Sequence, residues 1–461
     1  MLVLTALAQL MVVLDGSIIT IALPRAQADL HMSDSQSQWV ITAYALSFGT
    51  LLLLGGRIAD YWGRRRTFLA GMLGFGIASA YGGLVQTGIE LIIARGLQGA
   101  FAALMAPAAL AILTTTFPSG RDRDIAFTIF GAISGAGTGI GLLLGGTLTE
   151  FLSWRWCLLV NVPIMIGVFV ATLAIITEGR AEGRHRYDLI GTAFVCFGLG
   201  SIVYGLTQTE PGKHIGLGVF LLIVGALLLA AFVISQRNVR DPLLPLRIIT
   251  DPVRGGALIL QLIAGCLTIG TMLYLTRHLQ QVLHLAPLAA GIATLPMTLA
   301  TGIVSPLCTI ALTRVGPRRM LIIGPAVSGV AMLWLSRITP DGSYWVQVLP
   351  PLVLLGAAMA MVFVPVQNLA LLGVSPADSG AASAANTATT QIGGSIGLSV
   401  YTALYTSFAG AHPDPAHMVM GFQAVFVATA VTLFIGAFVA YTMITDPRYR
   451  RHREFGAKHV S

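Results

Sequence analysis

Apolar residues in this chain come in long runs, broken at short intervals by clusters of charge, Pro and Gly. Fourteen runs reach the length of about 20 residues that a helix needs to cross a bilayer. They cover roughly 2–23, 38–57, 67–87, 90–116, 125–149, 155–177, 189–209, 215–236, 255–280, 287–311, 319–337, 344–366, 380–407 and 420–443. A transmembrane barrel would instead show segments of about ten residues with alternating polarity. These runs are apolar all round, so the pattern predicts an all-α polytopic membrane protein with 14 transmembrane helices. No intervening segment is long enough for a globular domain. The longest, about 237–254, reads as a stiff, proline-containing surface connector.

Composition agrees and excludes other classes. Of 461 residues 55% are hydrophobic and only 10% charged, with mean hydropathy +0.81, whereas a soluble domain carries roughly 25% charged residues. A soluble enzyme, a nucleic-acid-binding domain and a disordered chain are excluded, and lipid is the expected solvent. The net charge of +8 matters through its placement. If the first run leaves the cytoplasm, 21 of the 27 basic residues fall in cytoplasmic segments and 5 in outer ones, with Arg95 inside a run. That contrast predicts both termini in the cytoplasm; the expected location is a bacterial inner membrane, crossed many times. Trp39, Trp154, Trp156, Trp334 and Trp345 fall near outer ends, where interfacial anchors belong. Met1 opens almost on the first run without a basic leader, so no cleavable signal peptide is expected. The four cysteines lie in apolar runs without metal-ligand spacing, and neither metal nor cofactor is expected.

An ionisable group inside a span is costly and a functional candidate by default. Asp15 is the one carboxylate well inside a run, and Arg95 the one arginine. They form a candidate pair in which Asp15 binds and releases a proton. A static ion pair is the plainer alternative, and Arg95 has the option of snorkelling to the interface. The short loop GGRIADYWGRRRTFLAG (55–71) offers Gly56 and Gly63 for a tight turn, Asp60 to cap or pair, and Arg64–Arg66 to anchor the cytoplasmic face. A degenerate copy, LTRVGPRRMLIIG (312–324), sets Gly316, Arg318 and Arg319 where Gly63, Arg65 and Arg66 stand, as a duplicated transporter would. In the fifth run Gly131, Gly135 and Gly139 form one i, i+4 stripe and Gly137, Gly141 and Gly145 another, suited to close helix contact or to bending. In the thirteenth, Asn386, Thr387 and Gln391 either face a cavity or glue helices together.

These segments resemble the major facilitator superfamily, and within it the fourteen-span drug:proton antiporter family. LDGSIITIALP (14–24) is similar to that family's first-span signature, with Ser17 and Thr20 as departures. GGRIADYWGRRR resembles the superfamily's loop motif at Gly56, Asp60, Gly63, Arg64 and Arg65, and RGLQGAFAA (95–103) the fourth-span motif with Arg95, Gln98 and Gly99. GLLLGG, ending in Gly145 and Gly146, is similar to the antiporter motif but carries Leu142 in place of its proline. SWRWCLLVNVPI (153–164) and NTATTQIGGSIGLS (386–399) resemble the family's approach to span 6 and its span 13.

The resemblance implies alternating access about a midplane substrate. Residues 1–178 and 253–445 would be six-helix halves, 179–252 would hold two inserted helices, and 446–461 would be a basic cytoplasmic tail. It implies proton coupling through Asp15 and Arg95, and a cavity touched by Gln98, Asn386 and Gln391. It also implies a latch in which Asp60, with Gly56, Gly63, Arg64 and Arg65, meets Arg121 or Arg123 and the N-terminal end of span 13. Gly137, Gly141, Gly145 and Gly146 mark the antiporter-motif helix. The expected function is proton-coupled export of small amphipathic organic compounds such as drugs or antibiotics, by a monomer with protons, cargo and lipid as its only partners. An exporter of one endogenous metabolite or natural product, or a proton-coupled importer, are the alternatives on this fold. No G-x-x-x-x-G-K-[ST] sequence is present for ATP, and no His/Asp/Glu constellation suggests an enzyme: His185 with Asp188, and His412 with Asp414 and His417, read as solvated turns.

Overall fold

The computed structural model describes residues 1–117, 121–176, 178, 188–208, 214–239, 242, 243, 246, 250–370, 379–410 and 414–444. Among them run fourteen helical rods. These are α1 Leu2–Asp29, α2 Asp34–Trp62, α3 Arg64–Leu84, α4 Gly88–Thr116, α5 Arg121–Phe151, α6 Trp156–Ile175 and α7 Leu189–Gln208. After them come α8 Ile215–Asn238, α9 Pro252–Val282, α10 Pro287–Val315, α11 Pro317–Leu335, α12 Tyr344–Leu369, α13 Ser379–Ala409 and α14 Pro415–Met443. Among the described residues, twelve of the rods are long and apolar enough to cross a membrane. The rods α5 and α13 are rich in Gly and small polar residues.

Several rods start earlier than the apolar pattern predicts, because capping extends them into polar sequence. Ser33 and Gln36 close a reciprocal capping box on α2, and Thr87 and Glu90 do the same on α4. Asp251 caps α9 and Asp414 caps α14, each ahead of a proline in the first turn. The Asp414 carboxyl accepts from the His417 backbone N–H and faces its ring, which together hold it below the usual carboxylate range.

Two chain reversals need glycine. Gly63 joins α2 to α3 at φ 114°, and Gly316 joins α10 to α11 at φ 83°, left-handed values that a side chain resists. The sequence echo between the two segments is therefore an echo of backbone shape.

Packing repeats with an offset of eight rods. α1 packs on α5 as α9 does on α13, α2 on α4 as α10 on α12, and α3 on α4 as α11 on α12. α3 meets α6 as α11 meets α14. Between the two sets, α2 lies against α13 and α5 against α10, while α7 and α8 pack mainly on each other, with α7 also touching α2 and α13. Large apolar side chains such as Phe197, Phe438 and Trp345 point outward, about two-thirds or more exposed.

Glycine sets the closest approaches. A Cβ at Gly55 would lie 1.9 Å from the Ala103 carbonyl oxygen, and one at Gly99 2.3 Å from that of Tyr44, so α2 and α4 touch backbone to backbone. Gly99→Val is expected to destabilise the protein by about 1–3 kcal/mol or more, read as a lower melting temperature in detergent. An unchanged melting temperature would count against this tight seam.

Candidate functional site

The buried ions of the apolar pattern meet. Asp15 of α1 is fully buried and Arg95 of α4 is 1% exposed; Arg95 Nη1 donates to Asp15 Oδ2. Other side chains and rods complete the cluster. Gln98, one turn beyond Arg95, donates Nε2 to Asp15 Oδ1 at 3.1 Å and accepts from Arg95 Nη1 at 2.9 Å. Asn161 of α6 donates Nδ2 to the same Asp15 oxygen at 2.9 Å. Ser79 of α3 accepts from Gln98 at 2.6 Å and from Asn161 at 3.4 Å. From α2, the Val40 carbonyl accepts from Arg95 Nε, and the Tyr44 ring lies 4.3 Å from the guanidinium carbon. A buried ion pair survives removal from water when its remaining donors and acceptors are filled, and here neighbours fill them. All of these residues lie between positions 15 and 161, within the first set of rods.

The opposite face of α1 packs on α5. A Cβ at Gly141 would lie 2.0 Å from Ser17 Oγ and 3.0 Å from the Leu14 carbonyl, one at Gly145 2.7 Å from the Ile18 carbonyl, and one at Gly137 3.0 Å from Val13. Gly146 faces Leu288 of α10 instead. The glycine stripe is thus the seat of α1, and α1 separates the buried carboxylate from that seam.

At the end of the bundle where α1 meets α2, a second ionic group joins the two sets of rods. Arg277 of α9 is 1% exposed; its Nη1 pairs with Asp34 Oδ1 at 2.9 Å and its Nη2 donates to Gln27 Oε1 at 2.7 Å. Gln27 Nε2 in turn donates to Asp34 Oδ1 at 2.9 Å. The rings of Tyr274 and Tyr405 stand 5.8 and 5.9 Å from the guanidinium. Nearby, Gln280 Nε2 donates to the Ile21 carbonyl, and the Leu288 backbone N–H donates to Glu150 of α5. Around Arg277, α9 is wound as π-helix over Cys266–Thr271 and His278–Val282, a winding frequent at functional sites.

The α2–α3 turn lies at the other end. Asp60 faces Arg64 of its own turn at 3.9 Å. Arg65 Nη2 donates to the Leu173 carbonyl of α6 at 2.9 Å, while its backbone N–H donates to Glu178. Arg318 makes the equivalent bond to the Tyr441 carbonyl of α14 at 3.0 Å. Arg65 therefore ties α3 to α6 within one set of rods. Arg121 and Arg123 open α5, but their side chains lie outside the described residues. A Cβ at Gly56 would meet only the Pro107 side chain, at 3.7 Å.

Gln98 is fully buried beside Asp15. Asn386 is 2% exposed and donates to Gln367 at 3.0 Å, which fits the alternative of polar glue, here between α13 and α12. Gln391 does sit between the two sets, against Gly49 of α2. Trp154 is buried and donates to Asp29, so it is no interfacial anchor. Asp188 is buried against Gln236 rather than solvated, and His185, His412 and the 446–461 tail lie outside the described residues. Asn161, Ser79 and Arg277 escaped the sequence reading. Arg277 gave only an ambiguous signal, since it falls three residues from the end of the predicted run 255–280.

Comparison with known proteins follows the same outline. A family model described as Major Facilitator Superfamily matches residues 5–397 and 257–461. The puromycin resistance protein pur8 of Streptomyces alboniger is 41% identical, covering 98% of this chain and 92% of that protein. The cephamycin export protein CmcT of Amycolatopsis lactamdurans is 38% identical, covering 100% of this chain and 95% of that one. Among solved structures, the nucleoside transporter NupG superposes with a TM-score of 0.66 at 14% identity, over 95% of this chain and 98% of that one, a likeness of fold alone.

Proposed function

Because this chain belongs to the Major Facilitator Superfamily, and is thus a membrane transporter, we propose that it exports a small amphipathic antibiotic-like compound in exchange for protons. The cargo and direction rest on nearly full-length relatives named for antibiotic resistance and export. The proton rests on one observation: Asp15, the carboxylate buried with Arg95, Gln98 and Asn161. One proton crossing 100 mV releases about 2.3 kcal/mol, which supports a roughly fiftyfold gradient of cargo. Each of the two relatives' names carries a single antibiotic, which favours a narrow cargo over broad multidrug efflux.

In this reading residues 1–178 and 253–445 are the two rocking halves, and α7 and α8 are the inserted pair that makes fourteen spans. The protein is a monomer in the bacterial inner membrane with both termini cytoplasmic. The Arg277–Asp34–Gln27 group then lies at the outer face and holds the outward path closed. The Asp60 turn lies at the cytoplasmic face, where it would meet α5 and α13 when the inward path closes. α1 links the sites, carrying Asp15 at mid-length and Gln27 at its outer end.

The test is pH-gradient-driven uptake into inside-out vesicles across a panel of dyes and antibiotics, puromycin and cephamycin included. Accumulation accompanied by proton movement out of the lumen is expected. Uptake with no proton movement would overturn the coupling, and uptake only in right-side-out vesicles would make the protein an importer. Rods α9–α14 carry no Asp or Glu well inside them, and a doubly charged cargo without a counter-charge is costly to hold at the midplane. Neutral and monocationic compounds are therefore expected to be exported faster than dications. Vesicles that accumulate dications but no monocations would reverse that ranking.

A further inference from the structure

The Asp15 cluster raises a question about the two protonation states of one carboxyl group, and so rests on Asp15 as the proton carrier. Oδ2 is occupied by the Arg95 guanidinium. An arriving proton is left with Oδ1, where two amide N–H donors already converge, Gln98 Nε2 and Asn161 Nδ2. An N–H group has no lone pair to offer a carboxylic O–H. When Oδ1 gains its proton, one of the two amides must turn over or the new donor is left buried and unpaired, at the cost of its desolvation.

One amide is held less firmly than the other. Gln98 is held at both ends, since its Oε1 accepts from Arg95 at 2.9 Å and its Nε2 also donates to Ser79 at 2.6 Å. Asn161 is fully buried; its Nδ2 reaches Ser79 only at 3.4 Å, and among the described residues its Oδ1 has no hydrogen-bond partner. Half a turn about its terminal torsion, a soft sp³–sp² rotation, sets that oxygen where its nitrogen stood. We infer that Asn161 is the positioning residue for the transported proton, donating Nδ2–H to the Asp15 carboxylate and turning over to accept O–H from the acid. The step moves one proton: hydronium adds it to Oδ1, the O–H···Oδ1 bond to Asn161 replaces N–H···O, and release reverses both. The charged and titratable groups facing Asp15 are Arg95 from α4, Tyr44 from α2 and Cys157 from α6. Among the described residues α3 contributes only the neutral Ser79 hydroxyl and α5 no charged group.

The experiment uses the full chain in liposomes. It measures the pH profile of proton-driven dye transport together with infrared difference spectra between high and low pH. The parental protein should show a carboxylic C=O band on acidification that Asp15→Asn removes. Asn161→Leu, which neither donates nor accepts, should raise the midpoint of the pH profile by up to about one unit, because the hydrogen bond lost to the charged form is stronger than the one lost to the neutral acid. The same variant should shift the band, because the O–H loses its acceptor. Asn161→Ser is small enough to fold in any case and keeps a rotatable hydroxyl; its midpoint and band should stay nearer the parental values than those of Asn161→Leu. If Asp15→Asn removes the band while both Asn161 variants leave band and midpoint unmoved, the role of Asn161 is refuted and the carrier stands. If the band survives Asp15→Asn, the carrier is elsewhere and both readings fall.

Discussion

Asp15→Asn is expected to abolish proton-linked export, because an amide cannot release a proton in the physiological range. Its structural effect follows from the neighbours. The substitution removes what is, among the described residues, the only carboxylate beside a guanidinium that is 1% exposed, and stranding one member of a buried pair costs about 3–5 kcal/mol. Part of that loss is offset, since Arg95 keeps the Gln98 and Val40 oxygens and the Tyr44 ring. The informative comparison is therefore with Asp15→Asn/Arg95→Gln, in which neither ion remains and much of the stability should return while transport stays absent. Melting temperature and vesicle uptake, measured on the same preparations, separate the two effects. Parental uptake in either variant would remove Asp15 from the coupling.

On the proposed orientation, the second large effect is expected at the Arg277–Asp34–Gln27 group. Asp34→Asn leaves the Arg277 guanidinium with Gln27 and two tyrosine rings but no counter-charge, in the closed arrangement only. Opening the outer face would expose Arg277 to water, which solvates it at little cost. Truncating one partner of a hydrogen-bonded charge pair costs about 2–5 kcal/mol, and a shift of about 2 kcal/mol alone moves a two-state population roughly thirtyfold. Spin labels at the outer ends of α1 and α9 should report a longer separation in Asp34→Asn, and export should slow because return to the outward-closed form becomes rare. Arg277→Met removes both the charge and its need for a partner, so it should show a smaller opening than Asp34→Asn despite the larger change in side chain. Parental distances in both variants would mean that the group is only a packing contact.

The number and order of helices, the one acid well inside an apolar run and its basic partner, and the doubled glycine turn were all legible in the order of residues. Each depends on a rule that acts locally. Unpaired backbone is so costly in lipid that long apolar runs become helices. Charge is so rare in such runs that Asp15 and Arg95 stand out, and a reversal at positive φ selects glycine at Gly63 and at Gly316 alike. What surrounds the pair was not legible. Asn161 and Ser79 are small polar residues of a kind that recurs in almost every rod, and nothing in their own segments says which neighbour they face. Gln98 follows Arg95 by one helical turn, yet only the crossing of α4 with α1 aims it at Asp15 rather than at a cavity. Arg277 is the sharpest case. Its position near the end of an apolar run fits a solvated arginine as well as a buried one, and the choice belongs to Gln27 and Asp34, some 250 residues earlier. Helix identity is written in short-range solvation, whereas partnership arises when rods distant in the chain are pressed together, and only the folded bundle decides it.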